Sequence, residues 1–185
     1  MLEIKSTIKK DVSESTEFIA SDSIETIFVG KPRDILNKHL GRIENGKFYQ
    51  FYSSGKFSMT DLIFHLLKQT GPANLLIGTF SVSMESIDKI VKAHLNNLIL
   101  SCSFIIDPRM KINKVAPLQM IKANFPIVFT KWHAKVTTIE NNDWHISIVS
   151  SQNMTDNPKI ERGCIFTDKE TFDFDKNVLL HELQK

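Results

Sequence analysis

The chain has 185 residues, of which 42% are hydrophobic and 24% charged, and its net charge is +2. This composition is typical of a soluble globular protein with a sizeable core, and it predicts one domain over residues 1–185. No apolar run approaches the roughly 18 residues of a membrane-spanning helix, and no apolar signal segment begins the chain. We therefore expect a cytoplasmic protein in which Cys102 and Cys164 are reduced. The small net charge neither requires nor excludes a nucleic-acid partner.

The first part of the chain gives weak structural signals. Residues 1–22 are polar and predict a loose arm with at most one short strand. The following residues predict a strand over 23–30, and a short helix over 32–43 that begins near Pro32 and ends at Gly41. An aromatic strand is expected over 45–52, after an Asn-Gly turn.

From residue 58 onwards, helices and strands alternate. The first helix is expected to have Thr60 as its N-cap and to stop at Gly71. Strands are then predicted over 73–80, 97–107 and 126–130, and helices over 83–96 and 116–125. The order then changes to strands over 133–140, 144–151 and 160–168, followed by a helix over 169–184. This order predicts an α/β fold, a mixed sheet flanked by helices on both faces.

Two short polar patterns lie in the run of strands. His133 and Lys135 are two residues apart, so on a strand their side chains would share a face. Ser151 and Asn153 would also share a face if the chain is extended there. An imidazole can act as a nucleophile or transfer a proton, and the other groups can hydrogen-bond phosphate oxygens. A carboxylate such as Glu161 could orient the imidazole.

These residues carry a resemblance. "H133-A-K135", "S150-S151-Q152-N153" and then Glu161 resemble the HKD motif of the phospholipase D-like superfamily, which reads His-x-Lys, four residues, Asp, then Gly-Ser/Gly-x-Asn and a later Glu. The stretch is most similar to the short, single-motif bacterial members. The resemblance covers about residues 58–170, and its specific part is residues 132–162.

The resemblance implies a phospholipase D/nuclease-like fold and metal-independent phosphodiester cleavage without a cofactor. It implies that His133 forms a phosphohistidine, that the same residue of a second copy is the general acid, and that the active site is homodimeric. It also implies that Lys135, Ser151 and Asn153 hold the phosphate and that Glu161 orients His133. Since short members include nucleases, DNA is the expected substrate, ahead of RNA.

The sequence departs from the motif at three points. Glu140 stands where the motif has Asp, Ser150 replaces the first Gly, and nine residues separate Glu140 from Ser150, a longer interval than in the motif. The altered Asp position leaves a second hypothesis open, a catalytically inactive protein that binds nucleic acid. A third hypothesis is an enzyme acting on a small or lipid phosphodiester. The sequence shows no amphipathic lipid-facing element that would favour it.

Other residues have ordinary structural interpretations beside functional ones. His145 could join His133 in a zinc site, but no third ligand follows at a recognisable spacing, so a place at the core edge is expected. Trp132 could stack on a base, although a core position is more common. Ser81 and Ser83 are expected to cap, and residues 156–158 to form a turn at the rim of the site. A loose basic series could contact a nucleic-acid backbone or form a solvated face: Lys111, Lys114, Lys122 and Lys131.

Overall fold

A computed structural model describes residues 17–20, 35–156 and 158–185 of the chain. The strand predicted over 23–30 lies outside the described residues. Of the expected arm, only Glu17–Ala20 is described, and it forms strand β1. In the described part of the chain, no helix is long and apolar enough to cross a membrane.

The fold is a mixed eight-stranded sheet with helices on both faces. The helices are α1 (Leu36–Leu40, a single π-helical turn), α2 (Met59–Thr70), α3 (Met84–Leu95), α4 (Met110–Asn113), α5 (Val115–Asn124) and α6 (Lys169–Leu183). The later strands are β2 (Phe48–Ser54), β3 (Ala73–Thr79), β4 (Ile99–Ile106), β5 (Ile127–Phe129), β6 (Val136–Glu140), β7 (His145–Ser150) and β8 (Ile160–Phe166). The strand order is β1-β2-β8-β7-β6-β3-β4-β5. The predicted α/β class and mixed sheet are confirmed.

Strands β3, β4 and β5 form the parallel part of the sheet, and their connections pass through α3 and through α4 and α5. All other neighbouring strands are antiparallel. In α3, Ile87 and Ile90 are fully buried, whereas Leu95 is 71% exposed. The amphipathic spacing therefore orients this helix with its apolar stripe on the sheet.

The two faces of the sheet bury different residues, because successive side chains on a strand point to opposite sides. Leu75 and Ile77 of β3 join the main core beneath α2, α3 and α5. Leu76, which lies between them, packs with Leu179 of α6 in a smaller cluster on the other face. Helix α6 thus covers the face that α2 and α3 leave open.

Two local predictions need correction. The N-cap of α2 is Ser58, not Thr60, because Ser58 and Asp61 form a reciprocal capping box. The Oγ of Ser58 accepts the Asp61 N–H at 3.2 Å, and the Asp61 carboxylate accepts the Ser58 N–H at 3.0 Å. The helix predicted over 32–43 is described only from residue 35 and its helical turn ends at Leu40, where Gly41 takes a positive φ of 60°.

The cysteines agree with the sequence-based expectation of unpaired thiols. Cys102 and Cys164 are both free, the first buried and the second partly so. Burial raises the pKa of both thiols above the ordinary value, which disfavours the reactive thiolate. Neither cysteine therefore has the character of a nucleophile.

Candidate active site

The topology brings several distant chain segments to one edge of the sheet. Val136, at the start of β6, pairs with Gly78 near the carboxyl end of β3. The N–H of Ser150 donates to the carbonyl of Lys135 at 3.0 Å, and Ser150 pairs with Gly163 of β8. The segment before β6, the segment after β7 and the start of β8 therefore meet at the carboxyl ends of β3 and β4. In open α/β sheets this edge is the usual place for ligand binding.

His133 and Lys135 lie just outside the strand that was expected to carry them. Strand β6 begins at Val136, three residues later than predicted. Before it, the N–H of Trp132 donates to the carbonyl of Thr130 at 2.7 Å, two residues back, so the chain bends sharply instead of joining the ladder. The shared strand face that the spacing implied is therefore not the reason why these side chains meet.

The side chains of His133 and Lys135 are nevertheless in contact. Nζ of Lys135 donates to the carbonyl of His133 at 2.6 Å and lies 3.4 Å from its Nδ1. The imidazole packs against the ring of Phe80, with 5.2 Å between centroids. Burial lowers the pKa of Lys135 and the negative charge of Glu161 raises it, with a net lowering. An exposed imidazole and a partly buried ammonium group thus lie side by side.

Asp107 is a carboxylate beside this site that the sequence analysis missed. It follows β4 directly, is buried, and accepts hydrogen bonds from Nε and Nη2 of Arg109 at 2.7 and 3.0 Å. These bonds are the main cause of its lowered pKa, and the charge of His133 lowers the pKa further. The signal in the sequence was a polar group immediately after a buried parallel strand, at the edge where such sheets bind ligands.

Ser151 and Glu161 form a local hydrogen-bonded unit. The hydroxyl of Ser151 donates to the Glu161 carboxylate and accepts the N–H of Arg162 at 3.0 Å. The N–H of Ser151 donates to the Arg162 carbonyl at 2.9 Å. Glu161 also acts on Lys135 through its charge. That Glu161 orients His133 stays a prediction, and Asp107 is a second candidate for this role.

Asn153 is anchored to the end of β3. Its Oδ1 accepts the N–H of Ser81 at 3.2 Å and the hydroxyl of Thr79 at 3.4 Å. The next residue, Met154, bridges to Val82, which holds the loop beside the strand exit. Oδ1 of Asn153 thus faces β3, whereas its amide N–H groups have no hydrogen-bond partner within the described ranges. They are the atoms that could donate to a phosphate oxygen.

Ser151 and Asn153 do not continue a strand, because β7 ends at Ser150. One side chain turns to β8 and the other to β3, so they do not share a strand face. Ser83 caps α3 as expected, because its side chain accepts the Ser86 N–H. Ser81 does not cap this helix; its N–H donates to Oδ1 of Asn153.

Glu140, at the Asp position of the motif, lies at the other end of β6. It lies four positions after Val136, or roughly 13 Å along the strand from the site edge. Its carboxylate accepts two hydrogen bonds from Nζ of Lys176 in α6, at 2.7 and 2.6 Å. The departure from Asp is therefore accommodated by a structural ion pair away from His133.

The remaining candidates have structural surroundings. Trp132 packs with the small cluster under α6 and lies against Gly78. His145 packs edge-on against Phe172. Of the basic series, Lys111 has its Nζ 4.3 Å from the Phe129 ring centroid, and Lys122 contacts the same ring. In the predicted turn, residue 157 lies outside the described residues.

No group of three His, Cys, Asp or Glu side chains that could hold a metal ion is found among the described residues. The groups that do converge at the edge are an imidazole, an ammonium group, a guanidinium group, an amide, a hydroxyl and two carboxylates. Such a set can bind an anion and move a proton. It also contains a nitrogen nucleophile.

Comparisons with known proteins find similarity at the level of structure. No family model matches the sequence, and no curated protein matches it either. NucT from Helicobacter pylori is similar with a TM-score of 0.58 and 16% identity, covering 74% of this chain and 96% of that one. Nuc from Salmonella typhimurium, a phospholipase D family member, has a TM-score of 0.54 and 13% identity, covering 72% and 91%.

A polyphosphate kinase from Porphyromonas gingivalis has a TM-score of 0.53 and 13% identity, but the matched region covers only 25% of that chain. The two bacterial proteins described before it are matched over nearly their whole length. The chain therefore has the phospholipase D/nuclease-like fold that its sequence predicted.

Proposed function

We propose that the chain is a metal-independent phosphodiesterase that cleaves DNA through a covalent phosphohistidine in a homodimeric active site. The observation that carries this proposal is the convergence at one sheet edge of His133 and Lys135, which precede β6, with Asn153, which follows β7. The fold shared with Nuc, a phospholipase D family member, supports it as well.

In the first proposed step, Nε2 of His133 attacks phosphorus. A P–N bond forms while the bond from phosphorus to the leaving ester oxygen breaks, and that oxygen takes a proton from His133 of a second copy. In the second step, the now neutral imidazole of the second copy removes a proton from water. The water oxygen bonds to phosphorus, the P–N bond breaks, and both histidines return to their starting states.

The surroundings of His133 suit Nε2 as the reacting atom. Nε2 has no hydrogen-bond partner within the described ranges. Attack through Nε2 requires the ring proton on Nδ1, and it creates a positively charged ring. Because Nδ1 lies 3.4 Å from Nζ of Lys135, which can only donate, this tautomer requires the ammonium group to turn from Nδ1 to the phosphate when substrate binds. The nearby negative charge of Asp107 would stabilise that ring.

The other side chains would bind the phosphate. The ammonium group of Lys135 and the amide N–H groups of Asn153 would donate to the non-bridging oxygens, where negative charge accumulates in the transition state. Ser151 would add a hydroxyl, with Glu161 holding it in place. Glu161 would also keep Lys135 protonated, because its charge raises the pKa of the ammonium group.

The proposed mechanism requires a homodimer because it uses two histidines from two copies of the motif. Two histidines are needed, one as nucleophile and one as acid, and the sequence carries the motif once. A two-fold axis beside His133 would bring two identical motifs together, since a two-fold interface joins the same patch of both copies.

The proposal is tested by cleavage of single- and double-stranded DNA in excess EDTA. We expect the natural protein to cut and His133→Ala to lose activity by at least 10³-fold, on the order of the loss seen when a nucleophile is removed. His145→Ala, which removes a histidine packed against Phe172, is the matched control and should keep activity.

Absence of cleavage by the natural protein on any DNA would contradict the proposal. If DNA still bound under those conditions, with an affinity that fell steeply with salt, the catalytically inactive binding protein would take its place.

A further inference from the structure

A basic side chain outside the motif lies beside the proposed catalytic residues. The guanidinium carbon of Arg109 lies 4.7 Å from the ring centroid of Phe80. The same ring packs against the imidazole of His133 at 5.2 Å, and Nζ of Lys135 lies 5.8 Å from its centroid. An arginine that follows β4 and a histidine and a lysine that precede β6 are therefore arranged around one aromatic ring.

Arg109 is held in a fixed orientation but remains open to a ligand. Its Nε donates to Oδ1 of Asp107 at 2.7 Å, and its Nη2 donates to Oδ2 at 3.0 Å. The same Oδ1 also accepts the backbone N–H of Arg109 at 3.0 Å. The Asp107 side chain is 4% exposed and that of Arg109 is 67% exposed. Nη1 has no hydrogen-bond partner in the part of the chain that the structure describes.

This arrangement is more than a surface ion pair requires. An exposed ion pair contributes little to stability. A planar guanidinium fixed on two sides, by a buried carboxylate and an aromatic face, is instead preorganised to bind an anion with its free edge. At this edge, an anion that could reach Arg109 is the phosphate next to the one that His133 would attack.

We propose that Arg109 binds a second phosphate of the substrate, one that is not cleaved, and that Asp107 and Phe80 position its guanidinium group. This inference rests on the proposed function. It specifies the substrate class as a polynucleotide, because a small phosphodiester or a simple phospholipid offers only one phosphate to the site.

The test compares two substrates that differ in the number of phosphates. Arg109→Ala should raise KM for a DNA oligonucleotide about tenfold, as expected for the loss of one charged phosphate contact. KM for bis(4-nitrophenyl) phosphate, which has a single phosphate, should not share this rise. Because Arg109 also pairs with Asp107, any change in kcat should be the same for both substrates. Arg109→Lys, which keeps the charge but loses the two-point pairing with Asp107, should give an intermediate KM and guards against misfolding of the alanine variant.

The control for lost charge is Lys169→Ala. Lys169 is 66% exposed and paired with Asp173, so its exposure matches that of Arg109. It follows the end of β8 that lies away from the site. Binding of a labelled single-stranded oligonucleotide gives a readout that does not need turnover. The slope of log K against log salt should fall by about 0.7 in Arg109→Ala and stay constant in Lys169→Ala.

Three results would overturn the inference. If the natural protein cuts DNA and Arg109→Ala changes neither KM nor the salt slope, the second phosphate site is wrong and the proposed function stands. An equal rise in KM for the oligonucleotide and for bis(4-nitrophenyl) phosphate would show a merely structural role. Failure of the natural protein both to cut and to bind oligonucleotides would remove the proposed function together with this inference.

Discussion

The carboxylate of Glu140 binds Nζ of Lys176 through both oxygens, at 2.7 and 2.6 Å, and so joins the end of β6 to helix α6. Both side chains are about 30% exposed. Glu140, which the sequence resemblance places at the Asp position, therefore has a structural partner, and it lies at the sheet edge opposite to His133. This position does not favour a direct role for Glu140 beside His133.

Glu140→Gln should accordingly lower stability and leave activity unchanged. Removing one partner of a charge-assisted pair is expected to reduce the free energy of unfolding by about 1–2 kcal/mol. Chemical denaturation measures this loss, and kcat/KM for DNA should remain within about twofold. A double variant with Lys176→Met should lose little more than either single variant. A large drop in activity without a loss of stability would show that Glu140 serves the reaction directly.

Asn153→Asp separates the two functions of this side chain. The carboxylate can still accept the N–H of Ser81, so we expect the unfolding free energy to change by less than about 1 kcal/mol. The donor that would face the phosphate is replaced by a negative charge, and kcat/KM should fall by at least about 10²-fold. Asn124→Asp, at an exposed helix end, is the control for the charge change. Retained activity in Asn153→Asp would remove this residue from the phosphate site.

The lowered pKa of Lys135 predicts an early alkaline limb in the pH profile. Because burial disfavours the ammonium form, the charge is lost below the ordinary lysine value of 10.5, and phosphate binding should be lost with it. Glu161→Gln removes the charge that raises this pKa, so the limb should move to still lower pH. The measurement is kcat/KM against pH, with Glu170→Gln, at the far end of α6 from this site, as control. An alkaline limb that Glu161→Gln leaves in place would contradict the assigned coupling.

Gly78 is expected to be intolerant of a side chain, because Trp132 occupies the space. A Cβ at Gly78 would lie 2.7 Å from Cε2 and Nε1 of the indole ring. Gly78→Ala should therefore displace the tryptophan next to His133 and cost about 1–3 kcal/mol, the range for overpacking. Denaturation monitored by tryptophan fluorescence measures this cost. In a Trp132→Ala background the penalty should disappear, and a persistent penalty would assign it to the backbone instead.

The sequence predicted the order of elements well from residue 58 onwards, because each element carries a local signal. Helix α3 has apolar residues at helical spacing, and β3 is a short apolar run between turns. Local signals failed at boundaries that depend on tertiary contacts. The strand expected from His133 begins at Val136, since the chain first bends to place Trp132 against Gly78.

A sequence pattern singled out His133, Lys135 and Asn153 as candidates, but it did not indicate the side chains that surround them. Phe80, Asp107 and Arg109 follow β3 and β4, far from the motif in sequence, and no fixed spacing links them to His133. Only the parallel arrangement of those strands brings their carboxyl ends to the edge where β6 begins. This arrangement depends on which strands pair and in which register, and neither can be read from the local pattern of a single sequence.

The most direct test of the account is to trap the covalent intermediate. The natural protein would be mixed with a short DNA substrate in EDTA, quenched in alkaline denaturant and analysed by peptide mass spectrometry. We expect a nucleotide adduct on the peptide that contains His133, abolished in His133→Asn and retained in Glu140→Gln. Cleavage of the DNA with no adduct on His133 in rapidly quenched samples, or an adduct on another residue, would contradict the proposed phosphohistidine mechanism.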